Sequence, residues 1–236
     1  MKFRRYALYY LPPEGSDWTV SATAWLGWDI AAGSPALHPD IPDLPLPVEA
    51  ITRTPRKYGL HATIKPPFFL ADGCDVAALT TACQSLCDRL GPIVLDGLDI
   101  ARLGRFLALR PRGDDTALKH LAAACVAELD AFRAPASEAE LTKRRASGLT
   151  PAQDVLLLRW GYPYVMDQFR FHITLSGRLA PDRVAAVQAR LSSYLGPRLP
   201  EPFHISELAL VGEAEDGQFH LIHRYTLSGA SSDTTA

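Results

Sequence analysis

Apolar residues recur along the chain in two spacings, one typical of strands and one typical of helices. Strand-like runs lie at 5–11, 58–65, 93–101, 105–110, 169–176, 203–211 and 218–227. Helical spacing is found at 17–32, 75–90, 114–132, 151–160 and 181–195, and residues 134–148 are polar but helix-prone. This order predicts an α+β protein with mostly antiparallel strands and with its helices on one side of the sheet.

Prolines and glycines mark where these elements end. The segment 34–56 has six prolines and little periodicity, which predicts an irregular surface connection that could close over a cleft as a lid. Pro66 and Pro67 cannot donate ladder hydrogen bonds and are expected to end the strand at 58–65. Gly33 is expected to stop the first helix, and a frayed tail is expected from Ser228 onward.

The two halves of the chain follow the same order of elements. Each has a His-x-Thr-aliphatic strand, at 61–64 and at 172–175, followed by a helix, a Leu-Gly-Pro stop, a strand, a turn and a strand. We interpret this as a diverged duplication that forms two pseudo-symmetric lobes around a central cleft. The predicted organisation is a single bilobal domain over 1–236, with repeat units at about 57–133 and 168–228, residues 1–33 completing the sheets and residues 134–167 bridging the halves.

Composition narrows the class of ligand. The 24 Lys and Arg residues nearly balance the 26 Asp and Glu residues, for a formal charge of −2, which argues against a large nucleic acid or an anionic membrane and favours a small ligand. No apolar run approaches the roughly 18 residues that a spanning helix needs, and the first residues do not resemble a signal peptide. The four cysteines lack zinc or CxxC spacing, so we expect reduced core thiols in a cytoplasmic protein. The oligomeric state stays open.

Each His-x-Thr segment presents an imidazole and a hydroxyl on one face of its strand. His61 and Thr63, like His172 and Thr174, are separated by about 6.6 Å along a strand, which suits a phosphate group. Imidazole titrates near pH 6.5, so one histidine can accept a proton while the other donates one, and the threonine hydroxyls can donate hydrogen bonds to phosphate oxygens. These residues predict general acid/base cleavage of a phosphate ester without a metal or other cofactor. The pattern does not say which histidine is the acid.

Five further residues are candidates for the same cleft. They are Lys65, Arg170, Ser176, Tyr58 and Tyr164. Strand alternation gives Lys65 and Arg170 the same face as the histidines, where either could bind a phosphate oxygen, although a solvated lysine is an equal alternative. Ser176 shares the face of the second segment. The two tyrosines lie beside the histidine strands and could line the pocket or pack in the core.

The paired His-x-Thr-aliphatic segments resemble the signature of the two-histidine phosphoesterase superfamily, which includes RNA ligase-like cyclic phosphodiesterases. The residues at 5–10, 58–68 and 169–177 are similar to a branch of uncharacterised proteins encoded beside bacterial phosphonate-degradation genes. The resemblance implies a bilobal α+β fold, metal-independent action on cyclic phosphodiesters, and the same four histidine and threonine residues as the site. It also implies a small substrate, either a phosphoribosyl cyclic phosphate from phosphonate breakdown or a 2′,3′-cyclic nucleotide.

Two other functions are left open by the sequence. The cleft could bind a nucleotide or phosphorylated metabolite as a non-catalytic accessory module, although binding alone does not need two proton-transfer groups. The protein could instead ligate or transfer RNA ends, which predicts a basic face around the groove. The nearest basic cluster, at 143–145, is expected to be a solvated helix surface. The strand at 5–11 could supply an edge of the groove, but the pattern does not choose among its tyrosines.

Overall fold

A computed structural model describes residues 1–230 of the chain. The strands are β1 (Arg5–Tyr10), β2 (Trp28–Asp29), β3 (Ser34–Pro35), β4 (Ala62–Phe68), β5 (Ile93–Leu95), β6 (Gly97–Leu103), β7 (Phe106–Arg112), β8 (Ile173–Thr174), β9 (Phe203–Ile205), β10 (Glu207–Glu213) and β11 (Phe219–Thr226). The helices are α1 (Asp17–Leu26), α2 (Val48–Thr52), α3 (Val76–Cys87), α4 (Thr116–Glu128), α5 (Glu138–Arg145), α6 (Pro151–Trp160) and α7 (Pro181–Leu195).

One seven-stranded antiparallel sheet forms the centre of the molecule, in the order β11-β10-β1-β4-β8-β7-β6. The strands that contain Thr63 and Thr174, β4 and β8, are neighbours within it and pair at Ala62 and Ile173. Two smaller pairs join β2 with β3 and β5 with β9. The predicted α+β fold with a large antiparallel sheet is confirmed, whereas the division into two repeat units stays a prediction.

The larger helices pack on one face of the sheet and enclose the main core. Buried side chains from α1, α3, α4 and α7 meet there with the inward residues of β1 and β4. Trp25 of α1 is fully buried, and its indole N–H donates to the carbonyl of Leu175 at 2.7 Å, which ties the helix to the residues after β8. The opposite face carries a smaller cluster that includes Tyr9, Trp28 and Phe219. Because fewer side chains cover this second face, a pocket can form there.

Helix boundaries follow local signals, but three predicted ends are corrected. The helices predicted at 75–90 and 114–132 end earlier, at Cys87 and Glu128. The helices α6 and α7 have the predicted bounds, and α5 and α6 each begin with a capping box. The first helix ends at Leu26 and not at Gly33, because Gly27 adopts a left-handed conformation (φ 83°) and its N–H donates to the carbonyl of Thr23 at 2.9 Å. The chain then turns directly into β2.

Several strand predictions are wrong in extent. β4 continues through Pro66 and Pro67 to Phe68, because shifts of register against β1 remove the need for the prolines to donate ladder hydrogen bonds. The predicted strands at 93–101 and 203–211 each break in the middle, and their first parts, β5 and β9, pair with each other. The predicted strand at 169–176 shrinks to β8. The N–H groups after it, of residues 175 and 176, both donate to the carbonyl of Leu107.

The proline-rich segment 34–56 contains β3 and α2 and is otherwise irregular. The carbonyl of Ile51 accepts the N–H of Gly177 at 2.8 Å, so the segment is joined to the loop after β8. Its closure as a lid stays a prediction.

The predicted tail is wrong at its start, since the N–H of Ser228 donates to the carbonyl of Cys87, and the remainder at 231–236 lies outside the described residues. None of the helices within residues 1–230 is both long and apolar enough to span a membrane.

Candidate active site

Pairing of β4 with β8 brings the two His-x-Thr segments together on the face opposite the large helices. Their central residues, 62 and 173, lie opposite each other, so antiparallel geometry sets His61 against Thr174 and Thr63 against His172. With strands about 4.8 Å apart and a step of about 6.6 Å along each strand, the four residues form a rectangle. The histidines occupy opposite corners, with α-carbons about 8 Å apart. A phosphorus atom above the middle would have an imidazole on either side.

Both imidazoles are oriented by main-chain carbonyls. His61 Nδ1 lies 3.1 Å from the carbonyl oxygen of Gly59, and His172 Nδ1 lies 2.8 Å from that of Arg170. Because a carbonyl only accepts, Nδ1 carries the hydrogen in each ring, and Nε2 is left for the pocket. Gly59 has φ 65° and ψ −171°, and a Cβ there would lie 2.8 Å from Cβ of Ile30. Only glycine therefore suits that position.

His61 is packed against aromatic rings. Tyr9 stacks on it with ring centroids 4.1 Å apart and an interplanar angle of 26°, and Tyr58 lies tilted at 5.7 Å. Tyr9 pairs with Thr63 across β1 and β4, so the stacking partner is fixed by strand register. The Thr63 hydroxyl lies 3.3 Å from His61 Nε2 and can donate to it. The imidazole and hydroxyl of the first segment are therefore already in contact.

Burial lowers the pKa of His61 from 6.5 to about 4. The hydrogen bond to Gly59 opposes this shift, and the neighbouring His172 adds to it by charge repulsion. His61 is consequently neutral near pH 7, and the lone pair on its Nε2 can accept a hydrogen bond from the Thr63 hydroxyl or from a ligand. His172 has a different setting, with the ring of Phe106 tilted at a centroid distance of 5.9 Å. In its neutral form His61 is a proton acceptor, which is the state a general base requires.

A cavity of about 400 Å³ opens over this rectangle, a volume suited to a small ligand. Its walls include all four motif residues together with aromatic and cationic side chains. The additional residues include Arg5, Tyr9, Tyr58, Phe106, Arg144, Tyr162 and Arg178. The described chain, residues 1–230, has no group of three or more His, Cys, Asp and Glu side chains placed to share a metal ion.

Three arginines line the cavity, and two of them give it net positive charge. Arg5 is neutralised by Glu213, with Nε–Oε2 at 2.5 Å and Nη2–Oε1 at 2.8 Å. Arg144 has its guanidinium carbon 4.6 Å from the ring centroid of Tyr162, and Arg178 is exposed. Within residues 1–230 neither of these two arginines forms an ion pair with a carboxylate. Their charge is therefore available to an anionic ligand.

The predicted placement of Lys65 on the cleft face is wrong. Tyr9 pairs with Thr63 but Leu8 pairs with Lys65, so one extra residue bulges out of β4 and reverses the alternation. Lys65 is 2% exposed on the core side, where its Nζ donates to the carbonyl of Val126 at 2.9 Å and lies 3.7 Å from Asp130. It satisfies a carbonyl in the last turn of α4 rather than reaching a substrate.

The other predicted residues divide between the cavity and its surroundings. Tyr58 and Ser176 line the cavity. The Ser176 hydroxyl accepts the N–H of Leu107 at 2.8 Å and donates to the carbonyl of Gly177 at 2.9 Å. It therefore joins the residues after β8 to β7. Arg170 is exposed and outside the cavity lining, because its guanidinium donates to the main-chain carbonyls of residues 167 and 169. Tyr164 borders an adjoining cavity instead.

Several cavity residues were not identified from the sequence. Tyr9 is the tyrosine of β1 that faces the site, a choice that depends on pairing with β4. Arg144 belongs to the basic cluster expected to be solvated, yet it lines the cavity. Arg178 follows the second motif by three residues, and Tyr162 lies in the loop after α6. No local pattern distinguishes these residues from the other arginines and tyrosines of the chain.

Solved structures with a related arrangement of elements include the crystal structure of E. coli LigT complexed with 3′-AMP. It is 14% identical, with a TM-score of 0.47, over 96% of this chain and 99% of that chain. The crystal structure of TT0787 of Thermus thermophilus is 17% identical, with a TM-score of 0.44, over 95% of this chain and 98% of that chain.

Curated relatives are similar over much of the chain. One from Janthinobacterium sp. (strain Marseille), named ribose 1,5-bisphosphate phosphokinase PhnN, is 40% identical over 176 residues, 74% of this chain and 39% of the relative. One of the same name from Laribacter hongkongensis (strain HLHK9) is 34% identical over 213 residues, 90% of this chain and 49% of the relative. The chain thus spans less than half the length of these relatives. A family model described as "Protein of unknown function (DUF1045)" matches residues 63–220, and since this is more than half of the chain, the protein belongs to that family.

Proposed function

We propose that the protein is a phosphodiesterase that opens a small cyclic phosphodiester by two-histidine general acid/base catalysis. The observation that carries the proposal is the diagonal placement of His61 and His172, with both Nε2 atoms left for one cavity. Cleavage of a phosphodiester needs one group to take a proton from the nucleophile and another to give a proton to the leaving oxygen. Histidines on opposite sides of a phosphate can do both.

The chemistry assigns a distinct task to each motif residue. His61 takes a proton from a water molecule whose oxygen attacks phosphorus, and the bond from phosphorus to one ring oxygen breaks. His172 gives its proton to that leaving oxygen, so the cyclic diester and water become one phosphomonoester. Thr63 and Thr174 donate hydrogen bonds to the non-bridging oxygens, and Arg178 adds positive charge as negative charge develops there.

The cavity and the relatives both favour a small sugar phosphate as substrate. A volume of about 400 Å³ fits a ligand of nucleotide size or less. The relatives are named for a kinase of ribose 1,5-bisphosphate, and this chain matches less than half of each. We therefore favour a phosphoribosyl cyclic phosphate over a 2′,3′-cyclic nucleotide, consistent with the phosphonate-related resemblance of the motifs.

Ring opening followed by phosphorus NMR tests the proposal. The purified protein is incubated with ribose 1,2-cyclic phosphate 5-phosphate and, separately, with 2′,3′-cyclic AMP. We expect the cyclic resonance of at least one substrate to be replaced by a monoester resonance, and we expect His61→Ala to abolish this. Absence of turnover of both, or equal turnover by wild type and His61→Ala, would contradict the proposal. Binding of both ligands without turnover would instead favour a non-catalytic accessory module.

A further inference from the structure

A second cavity adjoins the candidate active site. It has a volume of about 420 Å³ and shares the walls formed by Arg5, Tyr58 and Arg144 with the first cavity. Its remaining lining residues are Lys57, Glu140, Lys143, Ser147, Pro163 and Tyr164. None of these six residues takes part in the acid/base chemistry proposed above. The two cavities together form a longer site than a single phosphate requires.

Three cations of the second cavity lack acidic partners, whereas the fourth, Arg5, is paired with Glu213. Lys57, Lys143 and Arg144 form no ion pair with any carboxylate in the described part of the chain. The cavity has one carboxylate of its own, Glu140, and that group accepts the N–H of Ser137 at 3.0 Å in the capping box of α5. Positive charge therefore exceeds negative charge in the lining, and it faces solvent rather than a protein anion.

The rings of Tyr58 and Tyr162 already have neighbours against them, which leaves little room for a nucleobase to stack there. Nζ of Lys57 lies 4.8 Å from the ring centroid of Tyr58, and Phe219 is 5.1 Å from the same ring. Tyr162 carries the guanidinium of Arg144 on its face and the ring of Tyr164 in an edge-on contact. Cation–π contacts of this kind hold the positive groups at the cavity wall. The site therefore suits an anionic group better than a nucleobase.

We propose that the second cavity binds a distal phosphomonoester of the cyclic diester substrate, with Arg144 and Lys57 as specificity-determining residues. Such a group carries about −1.5 to −2 charges at pH 7, which matches an excess of cations. Arg144 lies on the wall shared by the two cavities and so contacts the substrate between its reacting and distal phosphates. The inference rests on the proposed function, since it assigns the part of the substrate that does not react. The proposed substrate is therefore a sugar cyclic phosphate that carries a second phosphate on the sugar, away from the cyclic diester.

The test compares two substrates that differ only in the distal group, ribose 1,2-cyclic phosphate with and without a 5-phosphate. Wild type is expected to open the 5-phosphorylated ring with a kcat/KM higher by about tenfold or more, because charge-assisted contacts to phosphate are of that strength. Arg144→Ala and Lys57→Ala are each expected to lower this ratio about tenfold, mainly through KM of the 5-phosphorylated substrate. Arg144→Lys is expected to restore part of the ratio.

Arg145→Ala is the matched control, since Arg145 is the next residue of the same helix, pairs with Asp154 at 2.7 Å and lines neither cavity. It should leave the ratio unchanged. Equal kcat/KM for the two rings in wild type, or equal ratios in Arg144→Ala and Arg145→Ala, would overturn the subsite while leaving ring opening intact.

A binding measurement separates failure of the subsite from failure of the proposed reaction. If neither ring is opened, ribose 5-phosphate, which has no ring diester, is titrated calorimetrically into wild type and Arg144→Ala. Binding to wild type that is lost in the variant would support the subsite although the reaction had failed. Absence of binding to wild type would sink the subsite. Thermal unfolding of each variant shows whether a lost signal reflects a lost fold.

Discussion

His61 and His172 hold equivalent places in two copies of one motif, yet their surroundings differ. Each ring donates from Nδ1 to the carbonyl of the residue two positions earlier. His61 is additionally covered by Tyr9 and Tyr58, whereas His172 has the ring of Phe106 at 5.9 Å beside it. Burial holds the pKa of His61 at about 4. The comparison teaches that the residues packed around each ring, and not the motif itself, set how each histidine is buried.

The largest expected effect comes from removing either histidine. Loss of a general acid or base costs about two to four powers of ten in rate, so His61→Ala and His172→Ala should each lower kcat by that factor on a sugar cyclic phosphate. A diester with a nitrophenolate leaving group needs no leaving-group protonation. On that substrate His172→Ala should recover most of the wild-type rate, and His61→Ala should not. Recovery by His61→Ala instead would reverse the assignment of base and acid.

The two threonines offer a smaller contrast. Thr63→Val and Thr174→Val each remove a hydrogen-bond donor to the phosphate, for an expected loss in kcat/KM of about tenfold to a hundredfold. Thr63 also lies 3.3 Å from Nε2 of His61, so its replacement should move the pH profile as well as the rate. Thr174→Val is the matched control and should leave the profile in place. Identical pH profiles in the two variants would show that the contact does not affect catalysis.

The acidic limb of the pH profile reports the packing around His61. Because its pKa is lowered from 6.5 to about 4, the neutral base persists as pH falls, and kcat/KM should decline only near pH 4. Tyr9→Leu removes the stacked ring, admits water and should move this limb upward toward pH 6.5. The measurement is kcat/KM between pH 3.5 and 8. A wild-type limb already at pH 6.5 would contradict the proposed role of burial.

Lys65 should give the smallest effect on catalysis. Lys65→Met is expected to leave kcat/KM within about twofold, since the side chain lies in the core and contacts Val126. Burial lowers the pKa of Lys65 to about 8, so between pH 8 and about 10.4 the unfolded state binds more protons than the folded state. The free energy of unfolding should therefore rise with pH through that range in wild type relative to the variant. Urea unfolding at pH 7.5 and pH 10 measures this difference in stability. A large loss of kcat/KM in Lys65→Met would instead show that Lys65 acts in the active site.

The sequence was sufficient for the parts of the site that depend on local periodicity. Alternation along a strand correctly gave His61 and Thr63 a common face, and the repeated motif placed both segments in one site. The same rule failed at Lys65, because Ile64 is an unpaired extra residue opposite β1. A bulge depends on how two strands pair, and that information lies more than fifty residues away in the chain.

The missing parts of the site share this dependence on distant contacts. Arg144 is one of three consecutive basic residues, and its orientation into the cavity depends on how α5 packs beside the loop that carries Tyr162. Tyr9 was one of three tyrosines on a strand whose two faces are both buried, so burial could not reveal which ring meets a histidine. In each case the type of residue was visible in the sequence and its partner was not.

The carbonyl groups that orient the histidines also bear on how the site can vary among relatives. A main-chain oxygen is supplied by every amino acid, so position 170 can exchange its side chain without disturbing the tautomer of His172. Position 59 has no such freedom, because its left-handed backbone and the adjacent Ile30 admit only glycine. Among relatives, position 59 before His61 should consequently vary little, and position 170 before His172 should vary more. Both rings are held by a main-chain carbonyl, but only the carbonyl beside His61 belongs to a residue whose side chain cannot vary.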